Sequence, residues 1–91
     1  MLEIKKSKNK NKKYDAIIGD KVISFGARGY NDYTDNNYDD PKKKRDQYIK
    51  RHRVNEDWTK VNRASLSRFI LWGDSPDINK NIKDYKKRFN L

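Results

Sequence analysis

Residues 13–26 read KYDAIIGDKVISFG, and this stretch decides the fold. Two β-favouring runs flank Gly19-Asp20, a pair suited to a two-residue turn, so the segment is expected to close as a β-hairpin. Side chains alternate across a strand. In the second run Ile23 and Phe25 therefore share one face, and Val22 and Ser24 the other. Ile23 and Phe25, with Ile17 of the first run, are the candidate core. An isolated hairpin is marginal in water, so its apolar face needs a cover.

The cover comes from the C-terminal half, which reads as three helices. Asp40-Pro41 is an N-cap followed by a proline at the first helical position, and that helix is expected to run to about Val54. Tyr48 and His52 stand one turn apart on it, beside Ile49. A second helix is expected from Ala64 to Trp72, with Asn62 as cap and Gly73 as stop. The third opens at Ser75-Pro76, where Ile78, Ile82, Tyr85 and Phe89 recur at helical spacing. Trp58, Leu66, Phe69 and Ile70 complete the expected core. The fold class is α+β: a single domain over residues 13–91, a two-stranded hairpin packed on three short helices. Residues 1–12 alternate Lys with Asn and Ser and read as a flexible basic arm, in which Leu2 and Ile4 admit one short edge strand.

Composition bounds what such a chain can do. Leu, Ile, Val and Phe together are 18 of 91 residues, at the lower edge for a folded core; two Trp and six Tyr add the missing apolar area. The longest apolar run, Phe69 to Trp72, has four residues, against about 18 for a membrane span. With no Cys there is no disulfide scaffold and no thiol nucleophile. No apolar stretch follows the basic N-terminus as a secretory signal requires, so a site inside the cell is expected rather than secretion.

The charge is where the sequence speaks most clearly. Twenty-three basic against 13 acidic residues give a net +10, more than the 2–8 or so that solubility asks for. It comes in blocks: +5 over residues 1–13, −4 over 30–41, +6 over 42–53 and +4 over 80–91. A polyanionic partner is therefore expected. Nucleic acid is the leading one, DNA ahead of RNA, with an acidic protein surface as the alternative. Lys42, Lys43, Lys44, Arg45, Lys50, Arg51 and Arg53 are the first-choice phosphate contacts, followed by Lys10, Lys12 and Lys13 of the arm and its junction. Arg28, Lys83, Lys86, Lys87 and Arg88 form a second rank. Lys outnumbers Arg 16 to 7, which favours backbone contact over base readout.

Catalytic chemistry finds little footing. His52 is the only His, four residues before Glu56. Neither a second His nor a Cys accompanies it as a metal ligand, and a packed or capping role is the simpler reading. Gly26 and Gly29 bracket Ala27-Arg28; they admit a phosphate-holding backbone nest or merely a tight exit from the strand. In YNDYTDNNYD (30–39) Asp32, Asp35 and Asp39 offer hard oxygen ligands, yet the spacing fits no calcium loop. The simpler expectation is that its tyrosines, Tyr30, Tyr33 and Tyr38, pack on the helices while the carboxylates neutralise nearby bases. No catalytic residue, metal or cofactor is expected.

Three segments, FGARGYNDYTD (25–35), DQYIKRHRVNEDW (46–58) and ASLSRFILWGDSPDINKNIKDYKKRFNL (64–91), taken in this order resemble a family of small basic proteins. Its members come from large DNA viruses of algae and amoebae and from some tailed phages. The resemblance spans residues 13–91 and leaves the arm outside. The family has no assigned activity, so no site residues carry over. What it implies is context: a viral protein, packaged in the particle, either on the genome or as a minor structural component cementing acidic coat-protein surfaces.

Overall fold

Gly19-Asp20 does turn the chain. Strand β2 (Lys12–Ile18) pairs antiparallel with β3 (Lys21–Ala27), with Ile18 opposite Lys21 across the turn. Gly19 has φ +59°, the positive value that a tight hairpin turn needs at its first central residue. The computed structural model describes residues 1–35 and 39–91, so Tyr38, one of the three loop tyrosines, lies outside the described residues.

The sheet has three strands, not two. Leu2–Lys6, in the stretch read as an arm, forms β1 against the far edge of β2, giving the order β1-β2-β3. Leu2 faces Ile18 and Ile4 faces Ala16, which continues the apolar face of the hairpin. Leu2 is buried with only 3% of its surface exposed, and with Ile4 it anchors a strand whose other residues are charged. Arg28 fastens the intervening loop, donating Nη2–H to the Ser7 carbonyl (3.0 Å) and Nε–H to that of Lys12 (3.2 Å).

Register also corrects one core assignment. Tyr14, Ala16 and Ile18 alternate toward the core, while Ile17 pairs with Val22 and Glu3 on the outer face. Ile23 and Phe25 lie inside as expected, and Phe25 is fully buried.

Helix α1 (Pro41–His52) begins at the expected cap: the Asp40 carboxylate accepts from Lys43 N–H, and Pro41 takes the first helical position. It ends two residues earlier than expected. Helix α2 (Arg63–Leu66) is capped by Asn62, whose side chain accepts from Ser65 N–H while the Ser65 hydroxyl answers to Asn62 N–H. It then widens into a π-helical turn, Ser67–Leu71. Helix α3 (Ile78–Arg88) is capped by Asp77 rather than Ser75; the Ser75 hydroxyl accepts from Asp77 N–H instead.

The end of this segment explains a buried amide that hydropathy could not anticipate. Ile70 lies in the last turn, where carbonyls have no partner further along the helix, and its carbonyl is met by Asn81 Nδ2 at 2.9 Å. The same amide group donates to the Ser75 carbonyl at 2.7 Å. A Cβ on Gly73 would run into the Phe69 carbonyl oxygen and the Asn81 side chain, so only glycine fits there.

The core is where these pieces meet. Leu66, Ile70, Leu71 and Tyr85 are buried with Phe25 and Ala16. The α3 stripe Ile78, Ile82 and Phe89 packs around them. Tyr85 and Ser65 share a buried hydroxyl hydrogen bond of 2.8 Å, satisfying both. Trp58, expected in the core, sits half-buried at its margin, edge-on to Phe69 at 6.4 Å.

Candidate nucleic-acid interface

Helix α1 carries six cations, with Arg53 directly after it, and the helical period sorts the seven into three sets. Arg45 turns inward. Its Nε–H reaches the Gly73 carbonyl (2.7 Å) and that of Trp72 (3.1 Å), and Nη2 pairs with Asp74 at 2.8 Å. The guanidinium also lies 5.8 Å from the centre of the Tyr33 ring. Arg45 is thus a clamp between α1 and the end of the π turn, not a surface contact.

Lys44 and Arg51, with Gln47 between them, share a second face, and this face looks into a cleft of about 620 Å³. Lys42, Lys43, Lys50 and Arg53 occupy the remaining flank and are exposed.

The cleft lies between α1, the ends of β2 and β3, and the α2–π segment. Lys12 and Lys13 enter from β2, Lys44 and Arg51 from α1, and Arg63 from the start of α2. Asp32 and Glu56 are its two carboxylates. Each carboxylate has a partner. Asp32 Oδ2 receives Lys13 Nζ at 2.6 Å, and Asp35 takes the same ammonium at 3.2 Å. Burial alone would lower the pKa of Lys13, but hydrogen bonds and charge from Asp32 and Asp35 outweigh it and raise the pKa. Glu56 Oε2 meets His52 Nδ1 at 2.8 Å, while Oε1 accepts from the Trp58 indole at 3.0 Å. Arg63 uses Nε–H on the Ser24 carbonyl at 2.8 Å, which aims the exposed end of its side chain.

One wall is aromatic. Tyr48 stacks on Trp72 with centroids 4.7 Å apart and planes within 8°, and on His52 at 4.2 Å. Burial, with the Glu56 charge behind it, pushes the Tyr48 hydroxyl well above the usual tyrosine range, so it remains a neutral phenol. Tyr30 stands at the cleft, 74% exposed. Arg68 lies behind the wall, over the Trp58 and Phe69 rings, and donates to the Trp72 carbonyl at 2.9 Å. Burial, then the charge of Arg45, lowers its pKa.

The residues singled out in the sequence therefore separate. Lys12, Lys13, Lys44 and Arg51 converge on the cleft, although Lys13 is spent on Asp32. Lys42, Lys43, Lys50 and Arg53 share the helix but face away from it. Lys10 is exposed on the β1–β2 loop, and Arg28 holds backbone carbonyls. Lys83, Lys86, Lys87 and Arg88 belong to α3, which does not line the cleft. Arg88 covers the Phe69 ring at 4.0 Å.

The acidic loop meets the expectation only in part: Tyr33 is buried and Asp32 and Asp35 neutralise Lys13, but Tyr30, expected to pack on the helices, is exposed. Gly26, offered as part of a phosphate nest, has a packing reason instead. Its φ is +80°, and a Cβ would come within 2.8 Å of Leu71 Cδ1. Sequence reasoning missed Arg63, which sits in a segment of slightly negative charge; its place just after the Asn62 cap was the only signal.

A family model described as a family of unknown function (DUF5754) matches residues 2–52. The chain belongs to this family. The match takes in residues 2–12, which the resemblance had left outside, and ends at the last residue of α1. It thus covers the sheet and the helix that bring Lys12, Lys44 and Arg51 to the cleft, while Arg63 and Trp72 lie beyond it. Searches of curated proteins and of solved structures returned no match. No helix among the described residues is long and apolar enough to cross a membrane.

Proposed function

We propose that this protein binds nucleic acid through its phosphates, without catalysis and with little sequence preference. The observation that carries the reading is the charge of the cleft. Five cations line it against two carboxylates, and both carboxylates are already engaged by Lys13, His52 and Trp58. What remains facing solvent is a cationic surface, and a cleft of one sign focuses the field on an approaching anion. The exposed lysines on the outer flank of α1 add long-range attraction. In the viral setting that the sequence resemblance implies, such a protein would help to condense or package a genome.

The alternative, cementing of acidic coat proteins, would use the Tyr-rich acidic loop as its contact surface. Tyr33 and Asp32 are turned inward, so the geometry supports that reading less well. The test is fluorescence anisotropy with labelled duplex DNA and single-stranded RNA, titrated from low to high salt. Four cleft cations releasing roughly 0.7–0.9 counterions each predict a log–log slope of about −3. Absence of binding to either probe at low salt would refute the proposal and direct the charge toward a protein.

A further inference from the structure

We infer that the cleft takes an unpaired nucleotide, so that the protein prefers single-stranded nucleic acid to duplex. This rests on the nucleic-acid reading above and adds a claim about bases that charge alone does not make.

Three observations point the same way. The first is size. At about 620 Å³ the cleft falls within the 300–1,000 Å³ range of sites that enclose small ligands. One or two nucleotides fit that space; a duplex would touch only its rim. The second is that aromatic rings share the cleft with the cations. Tyr30 lines it and is 74% exposed. His52 ends the column Trp72–Tyr48–His52, and its side chain is 37% exposed where it lines the cleft. A flat base extends such a column by stacking, and every base has a face to offer, so the contact is indifferent to sequence.

The third is that the ring at the end of the column is held. His52 Nδ1 is bonded to Glu56, and Glu56 is itself fixed by the Trp58 indole. This costs the imidazole its freedom before any ligand arrives and leaves less ordering to be done on binding. Glu56 is then a positioning residue for a stacking platform. Lys12, Arg51 and Arg63 around the cleft supply the phosphate contacts to the same strand.

The experiment compares labelled single-stranded DNA, single-stranded RNA and duplex DNA of equal length, at one moderate salt concentration, on the wild type and on Tyr30→Ala and Tyr30→Phe. Tyr30 is exposed and uncharged, so neither change alters the fold or the electrostatics. Single strands are expected to bind at least 10-fold tighter than the duplex. Tyr30→Ala should cost the single strands about 5- to 100-fold, the usual range for a lost stacking partner, and leave the duplex unchanged. Tyr30→Phe should retain wild-type affinity, because stacking needs the ring and not the hydroxyl. The DNA and RNA arms show whether the sugar matters; a preference for either single strand over duplex supports the inference. If the duplex binds as tightly as the single strands and Tyr30→Ala changes nothing, the inference is overturned while phosphate binding stands. If no probe binds at low salt, both fall together.

Discussion

The two ends of α1 make the most instructive comparison in the molecule. Arg45 and Arg51 are alike in sequence terms: same helix, same basic block, six residues apart. Arg45 spends its donors on the Trp72 and Gly73 carbonyls and on Asp74, whereas Arg51 is exposed at the cleft. Strand β2 repeats the contrast, with Lys13 locked to Asp32 beside Lys12, which has no ion pair among the described residues. A basic block is therefore not one surface. Part of it holds the fold together, and only the rest is available to a partner.

The largest effect expected from this comparison is on stability. Arg45→Ala takes the side-chain donor from the Gly73 carbonyl, leaves the Trp72 carbonyl to Arg68 alone and breaks the pair with Asp74, and should cost roughly 2–4 kcal/mol, with a fall in Tm of more than about 10 °C for a domain of this size. Arg51→Ala should stay within about 0.5 kcal/mol. Thermal melts of the two variants side by side decide the matter; equal losses would erase the distinction. Next comes Asp32→Asn, which leaves Lys13 with a single carboxylate and should cost about 1–3 kcal/mol by urea denaturation. Lys12→Gln, the neighbouring change, should leave the urea midpoint in place.

The same division was only partly legible in the sequence. Local signals read well: Gly19-Asp20 as a turn, Asp40-Pro41 as a helix start, and the Ile78–Ile82–Tyr85–Phe89 stripe as a buried face. Each depends on residues a few positions apart. Strand β1 was harder, because Leu2 and Ile4 are two apolar residues in a polar stretch, and their value lies in the partner strand they meet. Ile17 was misplaced because KYDAII has no strict alternation, and only the register decides which isoleucine faces in. The cleft could not be read at all. It joins residues 12, 44, 51 and 63, and the roles of Arg45 and Lys13 depend on partners 29 and 19 positions away.

A smaller effect tests the locked side through pH. Lys13, Tyr14, Tyr48 and Tyr85 all have pKa values raised by folding, Lys13 through its carboxylates and the tyrosines chiefly through burial. A raised pKa contributes stability that is fully present below the unfolded value and lost as pH rises through the folded one. The protein should therefore keep its urea midpoint up to about pH 10, the ordinary range of these groups, and lose it above. Tyr48→Phe should blunt that alkaline loss; a midpoint that stays flat to pH 12 would contradict the assignment. The smallest effect belongs to the outer flank of α1. Lys50→Gln should change stability by less than about 0.5 kcal/mol, measured by thermal melt.

The central claim is that the cations at the cleft, rather than basic charge in general, meet the phosphates. It is tested most directly by comparing salt slopes for single-stranded DNA binding in two double variants of equal charge loss, Lys12→Gln with Arg51→Gln and Lys42→Gln with Lys43→Gln. The cleft pair should lower the slope by about 1.4, two contacts at roughly 0.7 each, and the outer pair should leave it nearly unchanged. Equal reductions from both pairs, or a larger one from the outer pair, would contradict the account.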